Sequence, residues 1–374
     1  MKRLGDIATY INGYAFKPED WSDVGLPIIR IQDLTGNAYQ ANRYNGEYAP
    51  KYEVNEGDVL ISWSASLGVY VWHGEKAVLN QHIFKVVFDK TEICKNFFVH
   101  QVQGILEKAA SATHGATMKH LTKPVFDSLP FYLPPIEEQY KVAAVLDKVS
   151  DLIAKRRQQL DKLDLLVKSK FVEMFGTYPA NERNWDIGTI RDVISEAKYG
   201  SSRPATVDGQ YPYLRMNNIT YNGELDLSGI KYIDVPEKEL PKCTVKRGDV
   251  LFNRTNSKEL VGKTCVYDRD QMMVLAGFVI RVRVNERALP EFLSAFLNTD
   301  FSKQMLLGMC KTAIGQANIN AQEMQNIGIY IPPVDLQKEF VTFKQQVNKS
   351  KTTINRSLEK LETLKKALMQ EYFG

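Results

Sequence analysis

Two stretches of the chain carry a helical apolar rhythm that nothing interrupts. No Pro or Gly falls within 136–175 or 334–373, and a Pro-Pro pair precedes each, which disfavours helix upstream. In the second stretch a heptad frame places Phe340, Val347, Ile354, Leu361 and Leu368 at a, with Phe343 and Leu364 at d. The same frame in the first stretch places Val142, Val149 and Leu163 at a, Val145, Leu152 and Leu166 at d, and Leu146, Ile153, Leu160, Val167 and Met174 at e. Apolar columns with a flank predict a coiled coil that has a further surface to cover. Arg156, Gln159, Lys170, Ser350 and Ser357 interrupt the seam. Each helix of roughly 40 residues spans about 60 Å.

Elsewhere apolar residues come in short runs between turn residues, which predicts strands. The first such region gives 27–34, 59–64, 68–72, 77–88 and 126–133; the second gives 212–219, 249–255, 262–267, 273–284 and 327–332. Each region has one late amphipathic helix, about 96–110 and about 290–308, the latter opened by Pro290. Strands crowded before a single helix do not give the regular alternation of a doubly wound sheet. An irregular, partly curled sheet is expected.

These patterns repeat. Residues 129–176 align with 327–374 at a constant offset of 198 without a gap. Pro134-Pro135 falls on Pro332-Pro333, Gln139 on Gln337, Leu160 on Leu358, and Phe175-Gly176 on Phe373-Gly374. The preceding regions match with a drifting offset: Leu4-Gly5-Asp6-Ile7 with Ile190-Arg191-Asp192-Val193, Pro27-Ile28-Ile29-Arg30 with Pro212-Tyr213-Leu214-Arg215, and Gly57-Asp58-Val59-Leu60 with Gly248-Asp249-Val250-Leu251. Drift means loops of different length on one scaffold. The period is too long for a solenoid. The fold class is therefore α+β: two mixed, strand-rich α/β domains joined by two long helices in an antiparallel coiled coil, with a pseudo-twofold internal repeat. The divisions are 1–135, 136–176, 177–333 and 334–374.

Composition adds exclusions. The 374 residues are 44% hydrophobic and 25% charged, ordinary globular usage. There is no apolar run long enough for a transmembrane helix and no secretory signal at the N-terminus. Cys94, Cys243, Cys265 and Cys310 lack CxxC spacing and read as reduced thiols of a cytoplasmic protein. The net charge of +4 is not concentrated in the domains. Residues 1–135 carry 13 basic and 14 acidic side chains, and 177–333 carry 19 and 18. Charge alone does not announce a nucleic-acid partner.

Catalytic signatures are missing. Gly262-Lys263-Thr264 resembles the tail of a phosphate-binding loop, but Ser257 stands where its first glycine belongs, so a turn entering a strand is the plainer reading. There is no GxGxxG after a strand, no HExxH, no GxSxG, and no Asn-Pro-Pro-Tyr or Asp-Pro-Pro-Tyr methyltransferase signature. All five histidines, His73, His82, His100, His114 and His120, lie in the first domain; a duplicated metal or catalytic site would show them in both. Asp58 and Asp249 follow glycine at a turn and read as caps. No catalytic, cofactor or metal residue is assigned.

Polar, amide-rich and basic stretches remain. In the first domain they supply Arg30, Gln32, Ser62, Trp63, Ser64, His114 and Lys119, with Asn80-Gln81-His82 nearby. In the second they supply Arg215, Asn217, Asn218, Asn253, Arg254, Asn256, Lys311, Gln316 and Asn318. Arg pairs with guanine and Asn or Gln with adenine, while Ser, Thr and Lys hold phosphates. Each stretch alone is an ordinary polar turn. Their recurrence at matched places, with different residues in each copy, is what two distinct readers of double-stranded DNA need.

This layout resembles the specificity subunit of type I restriction-modification systems. The carriers are Leu133-Pro134-Pro135-Ile136-Glu137-Glu138-Gln139 and Ile331-Pro332-Pro333-Val334-Asp335-Leu336-Gln337, each running into a long helix. Gly57-Asp58-Val59-Leu60-Ile61-Ser62, Gly248-Asp249-Val250-Leu251-Phe252-Asn253 and 313–320 support them. Two departures are 114–120, which lacks the Gln and Asn of its second-half counterpart, and Leu336, which replaces the acidic residue of Glu138. The resemblance implies two target-recognition domains, each reading one half of a split site, and no catalysis by this chain. It implies modification subunits that use S-adenosylmethionine and restriction subunits that use ATP and Mg, with no cofactor on the chain itself. Leu146, Ile153, Leu160, Val167 and Leu358 are the candidate partner-docking positions on the helices. Antiparallel helices would act as a ruler for the unread gap. The competing expectations are a coiled-coil scaffold that reads no DNA and a stand-alone methyltransferase or nuclease.

Overall fold

The computed structural model describes residues 1–36, 42–112, 122–313 and 316–374, with backbone alone at 111–112, 311–313 and 316. The chain folds as two compact units: Met1–Arg156 with Arg356–Gly374, and Arg157–Asn355. The two long helices, Ile136–Phe175 and Val334–Phe373, therefore each contribute to both units.

In the first unit, Thr9–Asn12, Ile83–Val87, Val59–Ser62 and Gly68–Val71 form one antiparallel sheet in that order. A second sheet runs Arg43–Tyr44, Leu26–Ile29, Ala77–Leu79, Glu53–Val54, with Leu26–Ile29 parallel to Ala77–Leu79. The second unit repeats both arrangements: Ile194–Tyr199, Val279–Val284, Val250–Asn253, Thr264–Val266, and Lys231–Ile233, Tyr211–Leu214, Met273–Leu275, Thr244–Val245. It also holds a three-stranded sheet of Thr255–Asn256, Gln316–Asn318 and Lys311–Ala313. The late helices are Lys95–Ala112 in the first unit, and Pro290–Leu297 followed by Asp300–Met309 in the second. Two predicted strands are each split by a turn, at 80–82 and 276–278. The segment Ile31–Leu34 is a helical turn rather than the end of a strand. Its Asp33 carboxylate accepts the Arg30 N–H at 2.8 Å and so starts a turn there.

What the two copies share in sequence is mostly backbone capping. Gln139 and Gln337 are fully buried. The Gln139 side chain accepts from the Cys94 N–H (2.9 Å) and donates to the Pro134 carbonyl (2.8 Å). Gln337 accepts from the Leu289 N–H (2.7 Å) and donates to the carbonyls of Arg287 (3.0 Å) and Pro332 (2.9 Å). Each glutamine ties the start of a long helix to the loop leading into the late helix of its own unit. Asp58 accepts the Asn55 N–H and Asp249 the Lys246 N–H, both at 2.9 Å. Each follows a glycine held at φ +86 or +91, a conformation that a side chain would disfavour. Both aspartates are thus turn caps.

The helix seam differs from the heptad frame. Val142, Leu146, Val149 and Ile153 are buried, whereas the d residues Val145, Leu152 and Leu166 are 40, 39 and 46% exposed. The inward stripe is therefore a and e. A stripe spaced by four then three residues faces the apolar core of the strand domain, and that core is wider than a helix-on-helix seam. In the first unit Val142, Ala143 and Leu146 join a core with Phe97, Phe98, Phe131 and the half-buried Leu368, Met369 and Phe373. In the second, Phe171 and Phe175 pack on Phe340 with ring centroids 5.3 and 5.7 Å apart. There Asp164 meets Lys351 at 2.6 Å, so the two helix segments of that unit run antiparallel. No helix among the described residues is long and apolar enough to cross a membrane.

Candidate nucleic-acid interface

In the first unit Arg30 is half-buried at the end of Leu26–Ile29, its Nε 3.2 Å from Asp33. Gln32 is exposed on the turn that follows. Ser62 is fully buried and donates to the Ser64 carbonyl at 3.2 Å; its side chain belongs to the fold and cannot reach a ligand. Ser64 is half-buried. Trp63 stacks on Phe84 (5.5 Å, 20° between planes), meets His82 edge-on at 5.0 Å, and donates its indole N–H to Asn12 Oδ1 at 3.2 Å. His114 and Lys119 lie outside the described residues.

In the second unit two expected base readers are spent on structure. Asn218 is 2% exposed; it accepts the Arg215 N–H (2.9 Å) and donates to the Asp226 carbonyl (2.8 Å). Asn253 is fully buried and donates to the Leu260 carbonyl at 3.3 Å. Neither can face a base, because each side chain closes a loop of its own unit. Asn217 remains exposed, and Arg215 reaches the Gly229 carbonyl at 3.2 Å. Arg254 lies over the Tyr199 ring at 4.9 Å, a stacking geometry that suits a planar guanidinium. Thr255 donates to Asn318, which is exposed, at 3.1 Å. Asn256 accepts the Ser257 N–H at 2.9 Å. The backbones of Lys311 and Gln316 belong to the three-stranded sheet. That sheet therefore brings Arg254, Asn256 and Asn318 together with the strands carrying Lys311 and Gln316, while Arg215 and Asn217 sit on a separate loop.

Gly262-Lys263-Thr264 is a turn entering Thr264–Val266. Burial pushes the Lys263 ammonium below its usual value, and its Nζ donates to the Met216 carbonyl at 2.9 Å. Among the described residues no group of three or more His, Cys, Asp or Glu is placed to hold a metal.

Comparison with known proteins fixes the family. The sequence profile described as Type I restriction modification DNA specificity domain matches residues 1–164 and 182–365. The chain belongs to this family. It is 22% identical over 406 residues to the Type I restriction enzyme EcoBI specificity subunit of Escherichia coli, covering 99% of this chain and 84% of that protein. The EcoKI specificity subunit of Escherichia coli strain K12 is 23% identical, covering 99% and 87%. In fold the chain is similar to the Type-I restriction-modification system S subunit from M. genitalium (TM-score 0.52, 12% identity, covering 100% of this chain and 95% of that one). A chain from a structure of complex assembly and conformational transition in the type I R-M system is likewise similar (TM-score 0.53, 16% identity, covering 99% and 96%). One matched segment falls on each repeat, so this specificity-domain chain carries the family fold twice.

Two features of the family member were not anticipated from sequence. Exposed aromatics flank glycines at strand ends: Tyr14 after Gly13, Tyr199 before Gly200, Phe278 after Gly277, with 45, 43 and 53% exposure. A Gly-aromatic pair closing a strand was the available signal. The helix positions expected to dock partners are in part turned inward. Leu146 and Ile153 are buried, and Leu160, Val167 and Leu358 are half-buried; Leu146 belongs to the first unit's core and Val167 packs on the second's. The inward stripe takes these side chains, and the d column faces out instead.

Proposed function

We propose that this chain is the DNA sequence-recognition subunit of a type I restriction-modification complex, reading a two-part target with its two strand-rich domains and catalysing nothing itself. The observation that carries this reading is one fold built twice, with the same sheets and caps but different side chains on the turns. It is supported by membership of the specificity-domain family. The partners are double-stranded DNA, modification subunits that take S-adenosylmethionine and methylate adenine, and restriction subunits that use ATP and Mg, all in the cytoplasm. The outward apolar positions Val145, Leu152, Leu166 and Leu364 offer the modification subunits a place on the helices.

Mapping methylated adenines in a host with and without this gene tests the reading. A two-part motif that disappears with the gene is expected. An unchanged methylation map would defeat it, as would footprinting of the assembled complex that shows no two-part protected sequence. Exchanging residues 1–128 for the equivalent of another such protein alters one half of the motif only. A heptad inserted into both long helices, about 10 Å each, changes the tolerated gap by about three base pairs, at 3.4 Å of duplex axis per pair.

A further inference from the structure

Aligning the two units by backbone hydrogen bonds reveals a correspondence that their sequences hide. Leu60 lies opposite Lys85, and Leu251 opposite Arg281, which sets the register. One step beyond those strands, the Trp63 N–H donates to the His82 carbonyl (3.3 Å), as the Arg254 N–H does to the Phe278 carbonyl (3.0 Å). The Gly13 N–H donates to Ile83 (3.1 Å), as Gly200 does to Val279 (3.3 Å). Tyr14 donates to Leu79 (2.8 Å), and Ser201 to Leu275 (2.6 Å). Gln81 donates back to Tyr14 (2.8 Å), and Gly277 to Ser201 (2.7 Å). Both units thus hold the same knot of crossing strand ends. Its pivot glycine is obligatory, since a Cβ on Gly13 or Gly200 would come within 2.0 or 2.1 Å of a backbone carbonyl oxygen.

On this fixed backbone the side chains at the knot are replaced, Asn12, Tyr199 and Phe278 exposed and Trp63, His82 and Arg254 half-buried. Asn12 becomes Tyr199, Trp63 becomes Arg254, and His82 becomes Phe278. Asn12 and Tyr199 match by register, lying opposite Phe84 and Ile280, which in turn lie opposite Ile61 and Phe252. In each unit the first two positions touch one another: the Trp63 indole on the Asn12 amide, the Arg254 guanidinium over the Tyr199 ring. Buried neighbours stay apolar in both, Leu79 with Leu275 and Ile83 with Val279. A backbone held constant by bonds and glycine, carrying side chains that diverge at its solvent edge, is the physical form of a reader whose specificity changes without its fold.

We infer that positions 12, 63 and 82 in the first unit, and 199, 254 and 278 in the second, discriminate bases. Arg254, half-buried with its guanidinium over Tyr199 and its Nη1 3.5 Å from the Gly277 carbonyl, is the residue type suited to guanine. The first unit offers an amide and aromatic rings instead, and so reads different bases. This rests on the DNA-recognition reading above.

The test is selection from a random duplex library by the full chain co-expressed with its modification subunit, comparing wild type, R254A, R254K and N12A. R254A is expected to lose about tenfold or more of its discrimination at positions of one half-site, with the other half unchanged. R254K, which keeps charge without the fork, behaves likewise and serves alone where R254A does not fold. N12A relaxes the opposite half. Retention of both half-site preferences in R254A, R254K and N12A overturns the inference. So does a uniform loss of affinity for all duplexes in R254A with a shallower salt dependence, which marks a phosphate contact. A wild-type chain that selects no two-part motif overturns the underlying reading instead.

Discussion

The two units solve one structural problem with different chemistry. In the first, Lys85 on the main sheet donates to the Glu53 carbonyl of the neighbouring sheet at 2.5 Å. At the matching place in the second, buried Arg281 donates to the Thr244 carbonyl and also pairs with Glu196 at 2.6 Å. Glu196 further meets Arg283, which pairs with buried Asp249 at 2.8 Å. The equivalents of Glu196 and Arg283 in the first unit are Thr9 and Val87. A carbonyl accepts from any cation, so the tie between sheets survives while its electrostatics diverge. What the copies must keep is a donor at that point, and the identity of the donor is free.

Four experiments probe how far this equivalence goes. The largest effect is expected at the shared glutamines. Gln139→Ala and Gln337→Ala each strand buried N–H and carbonyl groups and cost about 3 kcal/mol in urea unfolding; a much smaller loss in one would show that the two helix starts are not equivalent. Next, Arg281→Met costs about 2 kcal/mol, because it orphans a carbonyl and removes one partner of Glu196, while Lys85→Met costs about 1 kcal/mol. Equal losses would mean that the ion network adds nothing to the tie.

The pH response should separate the units. Burial lowers the pKa of His100 below its ordinary value, against the opposing pull of Asp147 at 2.7 Å. The unfolded chain therefore takes up a proton below about pH 6.5 that the fold refuses, so the first unit loses stability as pH falls through that range. His100→Gln should flatten that fall. Burial, then Lys168 and Lys263, depresses Lys303 of the second unit to about 8. Between pH 8 and the ordinary lysine value the unfolded chain holds the proton and the fold does not, so stability rises with pH there; Lys303→Met should reduce the rise, leaving what Lys263 and Lys344, both depressed by burial, contribute. Unfolding curves across pH 5–10 check both. The smallest structural effect belongs to the outward helix column: Leu152→Ser shifts stability by no more than about 0.5 kcal/mol yet weakens capture of the modification subunit. Unimpaired capture would remove that column from the docking surface.

Much of the architecture was legible because it rests on periodicity and repetition. The long helices, the late helices and most central strands follow from apolar spacing. The short edge strands Thr9–Asn12, Arg43–Tyr44 and Glu53–Val54 did not show, since two to four residues carry too little pattern. The candidate interface was legible only in part. Matched motifs such as Gly-Asp at 57–58 and Pro-Pro…Gln at 134–139 proved to be caps, and conspicuous amides such as Asn218 and Asn253 proved to be buried loop ties. The positions that diverge on a common backbone, 12 with 199 and 63 with 254, share no residue type. Only the hydrogen-bond register brings them into correspondence.

The division of the long helices between units has a consequence for synthesis. Leu368, Met369 and Phe373 pack into the same core as Leu4 and Phe97, yet they are translated more than 250 residues after Phe97. On the ribosome the first reader cannot close its apolar interior until residues 368–373 have emerged, whereas the second can assemble from contiguous sequence. The half made first is thus finished last, and a nascent chain stalled short of these residues would leave that interior open to chaperones and proteases.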